Sequence, residues 1–460
     1  MVVQKNKVYK TKIEDLAADG QGIGKVEGFA LFAEGVIPGD TAEIKIIKAN
    51  KSHAYGKLVR ITEPSVHRVE PGCAFFETCG GCALLCMDYA AQLAHKTKTV
   101  AACLERIGGF ENAAGTVREI IGMGDPYHYR NKAQFPVKKN ALRKSADIGF
   151  YSKRSHDITN IDNCAVLHGA NDGILHIFKN FLDKNMDKFP PYDEMGHTGL
   201  IRHIFTRVGF SSGEIMVCIV TNGDDLPKGR ELRGLIDELS EIGGMAGIVQ
   251  NVNKNKTNVI LGDKTRALWG RPYITDYIGD KKFKISANSF YQVNPVQTKK
   301  LYDIIVEYAG LDGDMVCADA YCGIGTIALM LAPYAKKVYG VEIVAQAVAD
   351  AAENAKINGI PNATFLTGKS EEVIPELISG GEIIDLVVLD PPRKGCDARL
   401  LESLVGARIP KLVYVSCDPA TLARDLKLLT ETAYALVSVQ PVDMFPHTMH
   451  TESVALLALR

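Results

Sequence analysis

The sequence contains no apolar run that approaches the ~20 residues of a membrane-spanning helix. Its opening, MVVQKNKVYK, lacks the apolar stretch of a signal peptide, so we expect a cytoplasmic protein that does not contact a membrane. The net charge is only −1, which gives no overall sign of a nucleic-acid partner. Repeats and low-complexity tracts are also absent. What remains is ordinary for a globular protein, with 46% hydrophobic and 23% charged residues over 460 positions, enough for about three domains.

The eleven cysteines are the least ordinary part of the composition. Disulfides are rare in the cytoplasm, so these cysteines are expected to be buried, catalytic or bound to metal. The segment CAFFETCGGC places Cys73, Cys79 and Cys82 in the spacing C-x5-C-x2-C, and Cys164 follows in IDNCAVL. Three thiols so close together gain nothing in packing, which favours a metal site. All-cysteine ligation fits zinc or an iron–sulfur cluster, and Cys86 is an alternative to Cys164 as the fourth ligand.

Three regions differ in their hydrophobic pattern, and they predict three domains. Residues 1–62 alternate in short runs (VYKTKI, FALFAEGV, TAEIKII, GKLVRI) broken by the turn signals DGQGIG and IPGD, which is typical of a small OB-like β-barrel. Residues 63–283 mix strand-like pieces (IMVCIVT, GIVQNVN, NVILG) with a helical pattern at 89–107, so we expect a central α+β domain that also holds the cysteine segment. Within it, roughly 90–122 is expected to pack with the C-terminal domain.

Residues 284–460 alternate strand-like and helix-like segments, which predicts a doubly wound α/β sheet. In MVCADAYCGIGTIALMLA, an apolar strand leads through a turn with Gly323 and Gly325 into a helix, the arrangement that lets a backbone approach a nucleotide-like ligand. The next strand ends at Glu342, placed to accept hydrogen bonds from ribose hydroxyls. Because the third glycine of a dinucleotide fingerprint is missing, S-adenosylmethionine is favoured over NAD.

Two further strands of this region end in polar residues. DLVVLD ends at Asp390, and the two prolines that follow hold a rigid exit from the sheet. Arg393 stands where enzymes that methylate exocyclic amines usually carry an aromatic ring, which argues against that reaction. In KLVYVSCDPATLARDL, a buried strand ends at Cys417 and a helix is predicted from about Thr421. The thiol is therefore either a small residue that closes the strand or a group for chemistry at the ligand-binding edge.

Six motifs in order resemble the S-adenosylmethionine-dependent RNA 5-methyluridine methyltransferases: SFYQVNPVQTKKLY, DAYCGIGTIAL, GVEIVAQAV, DLVVLDPPRKG, YVSCDPATLARDL and DMFPHTMHTESVALL. The resemblance covers most of the chain, and residues 1–62 look like the TRAM domain of members that modify 23S ribosomal RNA. It implies a Rossmann-like methyltransferase domain and roles for six residues. The implied cofactor contacts are Gln292, Tyr321, Glu342 and Asp390, the nucleophile is Cys417 and the base is Glu452.

The chemistry of such a reaction explains the need for a thiol and a base. Carbon 5 of uracil is a poor nucleophile, but addition of a thiolate to carbon 6 converts the ring to an enolate that attacks the methyl group. A base must then remove the proton from carbon 5 before the cysteine is eliminated. Alternative nucleophiles are Cys322, in the glycine turn, and Cys396, which follows DPPRKG. His447 and His450 are alternative bases or form local hydrogen bonds.

The resemblance also implies a [4Fe-4S] cluster on Cys73, Cys79, Cys82 and Cys164, and an RNA partner, 23S rRNA rather than tRNA. The target uridine must be unpaired or flipped out of its stack. The stretch YRNKAQFPVKKNALRK (129–144) interleaves basic residues with Tyr129 and Phe135, and it either holds RNA phosphates or is a solvated hairpin. We expect a monomer. Rival hypotheses are a tRNA methyltransferase, an iron–sulfur redox protein and a non-catalytic RNA-binding module.

Overall fold

The computed structural model describes residues 3–140 and 142–460. By contacts the chain divides into two compact units. The first contains residues 1–96, 150–159 and 445–450, and the second contains residues 97–149, 160–444 and 451–460. In the part of the chain that the structure describes, no helix combines the length and apolar character needed to cross a membrane.

The first unit contains a closed five-stranded barrel in the order β1-β2-β3-β5-β4. Alternating apolar residues fill it, and Leu31, Ile44 and Ile46 have no exposed surface. This is the small barrel that the alternating pattern predicts. Its strands are β1 Val8–Leu16, β2 Gly22–Val26, β3 Phe29–Ala33, β4 Thr41–Ala49 and β5 His53–Glu63.

The turn predicted at DGQGIG is present only in its first half. Asp19 and Gly20 lie in a turn, where Gly20 has a φ of 84°, but strand β2 already begins at Gly22. Residues from this segment pair with both β1 and β3. A Cβ atom on Gly22 would lie 2.5 Å from Val36, and one on Gly24 would lie 2.8 Å from Thr11. Glycine is therefore needed here for the close approach of neighbouring chain segments, not for a turn.

The central region forms a seven-stranded sheet in the order β12-β11-β10-β9-β6-β7-β8, with two helices in the same region. The predicted strands IMVCIVT and GIVQNVN correspond to β10 and β11. The strands are β6 Lys132–Lys139, β7 Ala146–Tyr151, β8 Ile158–Asn160, β9 Ile201–Val208, β10 Ile215–Thr221, β11 Met245–Val252 and β12 Lys264–Gly270, and the helices are α2 Ala170–Asn185 and α3 Arg230–Ser240.

The segment NVILG was predicted as a strand and is a loop. The amide of Asn253 donates to the carbonyl oxygens of Val259 (2.6 Å) and Ile260 (2.9 Å), and that of Asn251 donates to the oxygen of Gly262 (2.8 Å). Side chains thus satisfy the backbone groups that a neighbouring strand would have paired.

The predicted helix at 89–107 is present as α1 Tyr89–Cys103, followed by one wider π-turn at Leu104–Gly108. After α1, residues Val117 and Ile121 form parallel bridges with Val439 and Val442 in the C-terminal region. A two-stranded sheet, β13 Tyr273–Ile278 and β14 Lys281–Ser286, precedes that region. The boundary predicted at residue 283 falls inside β14.

The C-terminal region is a seven-stranded sheet in the order β17-β16-β15-β18-β19-β21-β20, with β15 to β19 parallel and β21 antiparallel to both neighbours. It has the doubly wound order that the sequence predicts. The strands are β15 Val316–Asp319, β16 Lys337–Glu342, β17 Ala363–Thr367, β18 Leu386–Leu389, β19 Lys411–Ser416, β20 Tyr434–Val442 and β21 Glu452–Leu459. The helices are α4 Pro295–Ala309, α5 Thr326–Leu331, α6 Ala345–Ile357, α7 Ser370–Ser379, α8 Ala398–Gly406 and α9 Pro419–Thr432.

Candidate active site at the edge of the C-terminal sheet

Two carboxylates lie where the strand order of the C-terminal sheet reverses, between β15 and β18. Asp319 ends β15, and Asp390 directly follows β18. Asp319 has no exposed surface and its carboxylate accepts a hydrogen bond from the backbone N–H of Ala328 (3.0 Å). Burial raises the pKa of Asp319 to about 7, with a further contribution from Asp390, and it raises the pKa of Asp390 to about 7 as well. The reversal point is the usual ligand crevice of such sheets.

A glycine turn and Glu342 form the next part of the same edge. Gly323 and Gly325 both have positive φ (53° and 85°), and the turn between β15 and α5 depends on them. The carboxylate of half-buried Glu342 accepts hydrogen bonds from the N–H groups of Gly323 (3.3 Å) and Val344 (2.9 Å). These contacts fix a carboxylate beside the turn, where it is able to accept hydrogen bonds from a diol.

Cys417 and Glu452 are cross-strand neighbours. In the antiparallel pairing of β19 with β21, Ser416 faces Ser453, so the thiol that follows β19 lies beside the first residue of β21. Asp418 then caps α9, because its carboxylate accepts the N–H groups of Ala420 and Thr421, both at 2.9 Å. Pro419 is the first residue of α9. The Asp-Pro pair thus ends the strand sharply and leaves a half-buried thiol at its tip.

Burial raises the pKa of the Cys417 thiol to about 11, and Glu452 and Asp390 add to the increase. Glu452 is 4% exposed; burial raises its pKa to about 8, and Asp390 contributes in the same direction. The guanidinium of Arg393 lowers the pKa of both groups. This role of Arg393 could not be read from the sequence, since charge coupling across strands has no local sequence signal.

The loop that carries Arg393 is tied to α9. Thr421 donates a hydrogen bond to the carbonyl oxygen of Arg393 (3.1 Å), and Arg424 donates to that of Lys394 (2.8 Å). Gly395 has a φ of 83°, and a Cβ atom there would lie within 2.5 Å of three side chains of α9. The loop therefore packs directly on the helix that begins beside Cys417, and these two hydrogen bonds hold it there.

The alternative nucleophile Cys396 lies beneath this loop and is 8% exposed. Its backbone N–H donates to Asp425 (3.0 Å), which also accepts the hydroxyl of Tyr414 (2.5 Å). Burial raises the pKa of the Cys396 thiol to about 12. Cys322 is 3% exposed, and burial together with Asp319 raises its pKa strongly. Of these three thiols, Cys417 is the most accessible.

The other two predicted cofactor residues, Tyr321 and Gln292, do not belong to this group of carboxylates. The hydroxyl of Tyr321 interacts with the Cys396 thiol, and burial raises the pKa of Tyr321. Gln292 is 7% exposed on the segment before α4, and its carbonyl oxygen accepts a hydrogen bond from the amide of Asn131 (2.9 Å). Thus four of the six predicted residues, with Asp319 in addition, form one electrostatic cluster, while Tyr321 and Gln292 lie on adjoining segments. That cluster contains Glu342, Asp390, Cys417 and Glu452.

His447 and His450 belong to the first unit, and local contacts account for them. The carbonyl oxygen of His447 accepts the N–H groups of Ala83 and Leu84, both at 3.0 Å, and its ring nitrogen lies 3.2 Å from the amide of Gln92. The ring of His450 packs edge-on against Phe445. These contacts support the local hydrogen-bonding interpretation of His447.

Similarity to known proteins establishes the family to which this chain belongs. A profile described as tRNA (Uracil-5-)-methyltransferase matches residues 251–460, and a TRAM domain profile matches residues 2–59. An uncharacterized RNA methyltransferase from Clostridium acetobutylicum is 48% identical, covering 99% of this chain and 98% of its own. Another, from Halalkalibacterium halodurans, is 49% identical over 100% of this chain and 98% of its own. The chain belongs to the RNA (uracil-5-)-methyltransferase family.

A solved structure agrees with this assignment. The crystal structure of Pyrococcus abyssi tRNA (uracil-54, C5)-methyltransferase in complex with S-adenosyl-L-homocysteine is 28% identical, with a TM-score of 0.78 over 98% of this chain and 100% of its own. The protein is therefore an RNA (uracil-C5)-methyltransferase that uses S-adenosylmethionine, and its N-terminal barrel is a TRAM domain. The predicted fold of the C-terminal region, the TRAM barrel and the reaction class are confirmed at this level.

The carboxylate edge of this methyltransferase fits its cofactor. Asp319, Asp390 and Glu452 each have a raised pKa, because removal from water disfavours their charged forms, and Asp390 raises the pKa of the other two further. A sulfonium carries a positive charge that offsets both effects. The glycine turn and the fixed carboxylate of Glu342 supply the backbone approach and the hydrogen-bond acceptor that an adenosine moiety needs.

The predicted metal ligands of the methyltransferase are half-buried. Cys73, Cys79 and Cys82 lie in the first unit; burial raises the pKa of Cys79, and Cys73 adds to the increase. Cys164 lies in the second unit. Cys86 is 1% exposed and packs with Ile37 and Met87 in a small apolar cluster, so it behaves as a core residue.

Cys73, Cys79 and Cys82 lie on one short segment, and thiolate sulfur is the donor that an iron–sulfur cluster requires. Among residues 3–140 and 142–460, however, no three His, Cys, Asp or Glu side chains are gathered as around a metal ion. The cluster on Cys73, Cys79, Cys82 and Cys164 therefore stays a prediction.

The basic stretch 129–144 separates into two parts. Tyr129 and Phe135 are at most 1% exposed, so both are core residues. Lys138, Lys139, Arg143 and Lys144 are exposed, and Ala141 lies outside the described residues. Arg130 and Lys132 are half-buried instead, which makes them a different kind of basic group from the exposed turn.

Proposed function

We propose that the enzyme methylates its target uridine through a covalent bond between the sulfur of Cys417 and carbon 6 of the ring. The observation that carries this proposal is the placement of Cys417 and Glu452 side by side at the edge that also holds Asp390. A nucleophile and a base that act on adjacent ring atoms must be neighbours.

The steps assign one task to each group. The Cys417 thiolate adds to carbon 6, and the electron pair moves to carbon 5 and the carbonyl oxygen as an enolate. When bound, S-adenosylmethionine supplies the methyl group to carbon 5. The carboxylate of Glu452 then takes the proton from carbon 5, the bond to Cys417 breaks, and the thiolate leaves with its electron pair.

Arg393 supports the first step in this scheme. The thiol is a poor nucleophile while protonated, and burial raises its pKa to about 11. Arg393 opposes that increase, and the contacts of its loop with Thr421 and Arg424 hold the loop near the thiol. Cofactor binding adds a second positive charge at this edge. We infer that the thiolate forms efficiently only when the cofactor is bound.

For the cofactor, we propose that Glu342 binds the ribose hydroxyls and that Asp390 lines the methyl-transfer position. Gln292 and Tyr321 are proposed as further contacts on the segments that adjoin this pocket. Support comes from the glycine turn, from the hydrogen bonds that hold Glu342 beside it, and from the position of Asp390 at the reversal of strand order.

We propose further that Cys73, Cys79 and Cys82 bind an iron–sulfur cluster of the [4Fe-4S] type, with Cys164 as the fourth ligand predicted from the sequence. The C-x5-C-x2-C spacing and the half-buried thiols support it. Protein purified without oxygen should be brown and contain about four irons and four sulfides per chain. Stoichiometric zinc would contradict the proposal. The methyl transfer itself moves no net electrons, so no step is assigned to the cluster.

We propose 23S rRNA as the substrate, from the resemblance of the TRAM barrel and cysteine pattern to rRNA-modifying members. tRNA is a second candidate, since the Pyrococcus abyssi tRNA enzyme covers 98% of this chain. The test is transfer of a radiolabelled methyl group to unmodified 23S rRNA and to unmodified tRNA transcripts, followed by mapping of the labelled nucleotide. Label at carbon 5 of uridine in rRNA is expected. Label in tRNA alone would assign the second substrate, and label in neither would overturn the proposed function.

A further inference from the structure

Two positive charges face each other in the central sheet. Lys132 on β6 is the direct cross-strand partner of Arg207 on β9. Directly opposite residues have Cβ atoms about 4.5–5.5 Å apart, and like charges in such pairs destabilise a sheet. Arg130, also half-buried, is the third member of the group, because it and Arg207 both lower the pKa of Lys132.

In the described part of the chain, these three cations have no counter-ion. Within residues 3–140 and 142–460, no carboxylate forms an ion pair with Arg130, Lys132 or Arg207. Asp276 is a fully buried carboxylate of the same unit, but it does not pair with these cations. It accepts hydrogen bonds from the backbone N–H groups of Phe210 and Ser211 instead. Most buried charges in proteins are paired, so this group has a positive field that folding leaves unbalanced.

Arg207 is held rigidly. It is 4% exposed, its Nη2 donates to the carbonyl oxygens of Ala287 (3.3 Å) and Ser289, and it lies over the ring of Phe205. In the described part of the chain its Nε has no hydrogen-bond partner. Burial and these neighbouring cations lower the pKa of Lys132 to about 8. An anion beside Lys132 would reverse part of that shift and relieve the repulsion.

The group adjoins the segment that carries Gln292. Arg207 binds the carbonyl oxygen of Ser289, and Asn131, between Arg130 and Lys132, donates its amide to the oxygen of Gln292 (2.9 Å) and its N–H to that of Val293 (2.9 Å). An anion bound here would therefore lie near the short segment that carries Gln292.

We propose that Arg130 and Lys132, supported by Arg207, bind a phosphate group of the RNA substrate beside the segment 289–293. This inference rests on the proposed function, which supplies an RNA strand at that place. The other anion in the reaction is the carboxylate of the cofactor. Lys132 and Arg207 face each other on the central sheet, whereas the carboxylates of the cofactor edge, Asp319, Glu342 and Asp390, lie at the edge of the C-terminal sheet. We therefore assign the cation group to the RNA phosphate.

The test compares Lys132→Gln with Lys139→Gln, a matched variant in the exposed part of the same strand. The probe is a short fluorescein-labelled oligouridylate without cofactor, and its affinity is measured by anisotropy over a range of salt concentrations. Lys132→Gln should weaken binding on the order of tenfold and reduce the salt slope by about 0.7, the value for one single-strand phosphate contact. Lys139→Gln should have a clearly smaller effect, and Lys132→Arg should restore binding.

Two further measurements separate the outcomes. Thermal unfolding should show Lys132→Gln to be more stable than the wild type at pH 7, because a repulsive charge is removed. Calorimetry should show unchanged affinity for S-adenosylmethionine. Equal effects of the two glutamine variants on RNA binding would overturn the proposal, as would loss of cofactor binding with RNA binding intact. Failure of the proposed function is a different result, namely wild-type protein that transfers no methyl group to either RNA.

Discussion

The two seven-stranded sheets of this enzyme concentrate opposite charges. The edge of the C-terminal sheet gathers Asp319, Asp390 and Glu452, all with a raised pKa. The central sheet and the segment before β6 gather Arg130, Lys132 and Arg207, for which the described residues supply no ion-pairing carboxylate, and the pKa of Lys132 is lowered. Each group is unfavourable for folding alone. Each group fits a ligand of the opposite charge. The acidic edge fits the sulfonium of the cofactor, and we propose that the cation group fits a phosphate.

The largest expected effect separates chemistry from binding. Cys417→Ala should reduce methyl transfer by at least about 10⁴-fold, because carbon 5 is not activated without the thiolate. Its affinity for oligouridylate should stay within about twofold of the wild type. Transfer of a radiolabelled methyl group and anisotropy measure the two quantities. If Cys417→Ala lost affinity for RNA but still transferred methyl groups at a substantial rate, Cys417 would be a binding residue and not a catalytic one.

The next effect concerns the cofactor. Glu342→Ala leaves ribose hydroxyls without their acceptor, which costs about 1–3 kcal/mol, or about 5- to 150-fold in affinity for S-adenosylmethionine. Isothermal titration calorimetry measures this loss. Lys132→Gln serves as the control, since a change at the basic group should not alter cofactor affinity. Unchanged affinity in Glu342→Ala would count against the ribose assignment.

The positive charge of Arg393 should determine how the rate of methyl transfer depends on pH. Since Arg393 lowers the pKa of Cys417 and Glu452, Arg393→Gln should raise both. We expect about a tenfold lower rate at pH 7, partly recovered at pH 9, because one pKa unit changes the ionised fraction about tenfold. The measurement is single-turnover methyl transfer between pH 6 and 9. The exposed neighbour Lys394, changed to Gln, is the matched control, and a flat profile in the Arg393 variant would refute the coupling.

The smallest effect is on stability, and its sign should differ between the two groups. Glu452 has a pKa of about 8 in the folded protein against 4.5 ordinarily, so the folded state holds a proton that the unfolded state releases, and stability falls as pH rises from 4.5 to 8. Lys132 has a pKa of about 8 against 10.5, so its contribution to stability rises with pH through that window.

Scanning calorimetry of two variants tests these signs. The gain in Tm from Glu452→Gln should grow between pH 5 and pH 8, whereas the gain from Lys132→Gln should be largest below pH 8 and shrink above it. The shifts should be a few degrees, since 1 kcal/mol changes the Tm of a domain of 150–250 residues by about 2–4 °C. Gains that do not depend on pH would show that charge is not their cause.

The acidic edge was more predictable from the sequence than the basic group. Each of its residues ends or begins a strand in a recognisable motif, and parallel strands bring their carboxyl ends to one edge. The basic group depends on the pairing of β6 with β9, which lie more than 60 positions apart, so no local pattern shows that Lys132 faces Arg207. The sequence shows Tyr129 and Phe135 between the basic residues of this stretch, but no local pattern shows that both are core residues.

The errors in the fold have similar causes. Residues Gly22 and Gly24 look like a turn because glycine has little strand propensity, but the barrel needs them for close approach of its neighbours. NVILG looks like a strand because it is apolar, but Asn251 and Asn253 supply its hydrogen bonds from elsewhere. The fold of residues 284–460 could still be predicted, because many alternating strand and helix segments indicate the same architecture and one local exception does not change it.

The central claim is that Cys417 bonds to the ring before Glu452 removes the proton from carbon 5. Denaturing gel electrophoresis of protein incubated with target RNA and S-adenosylmethionine tests it directly, since a covalent adduct shifts the protein band. Glu452→Gln should accumulate the shifted band with a methylated ring, and Cys417→Ala should give none. Cys396→Ala combined with Glu452→Gln should still accumulate the band. A shifted band from Cys417→Ala, or its loss when Cys396 is also replaced in Glu452→Gln, would contradict the account.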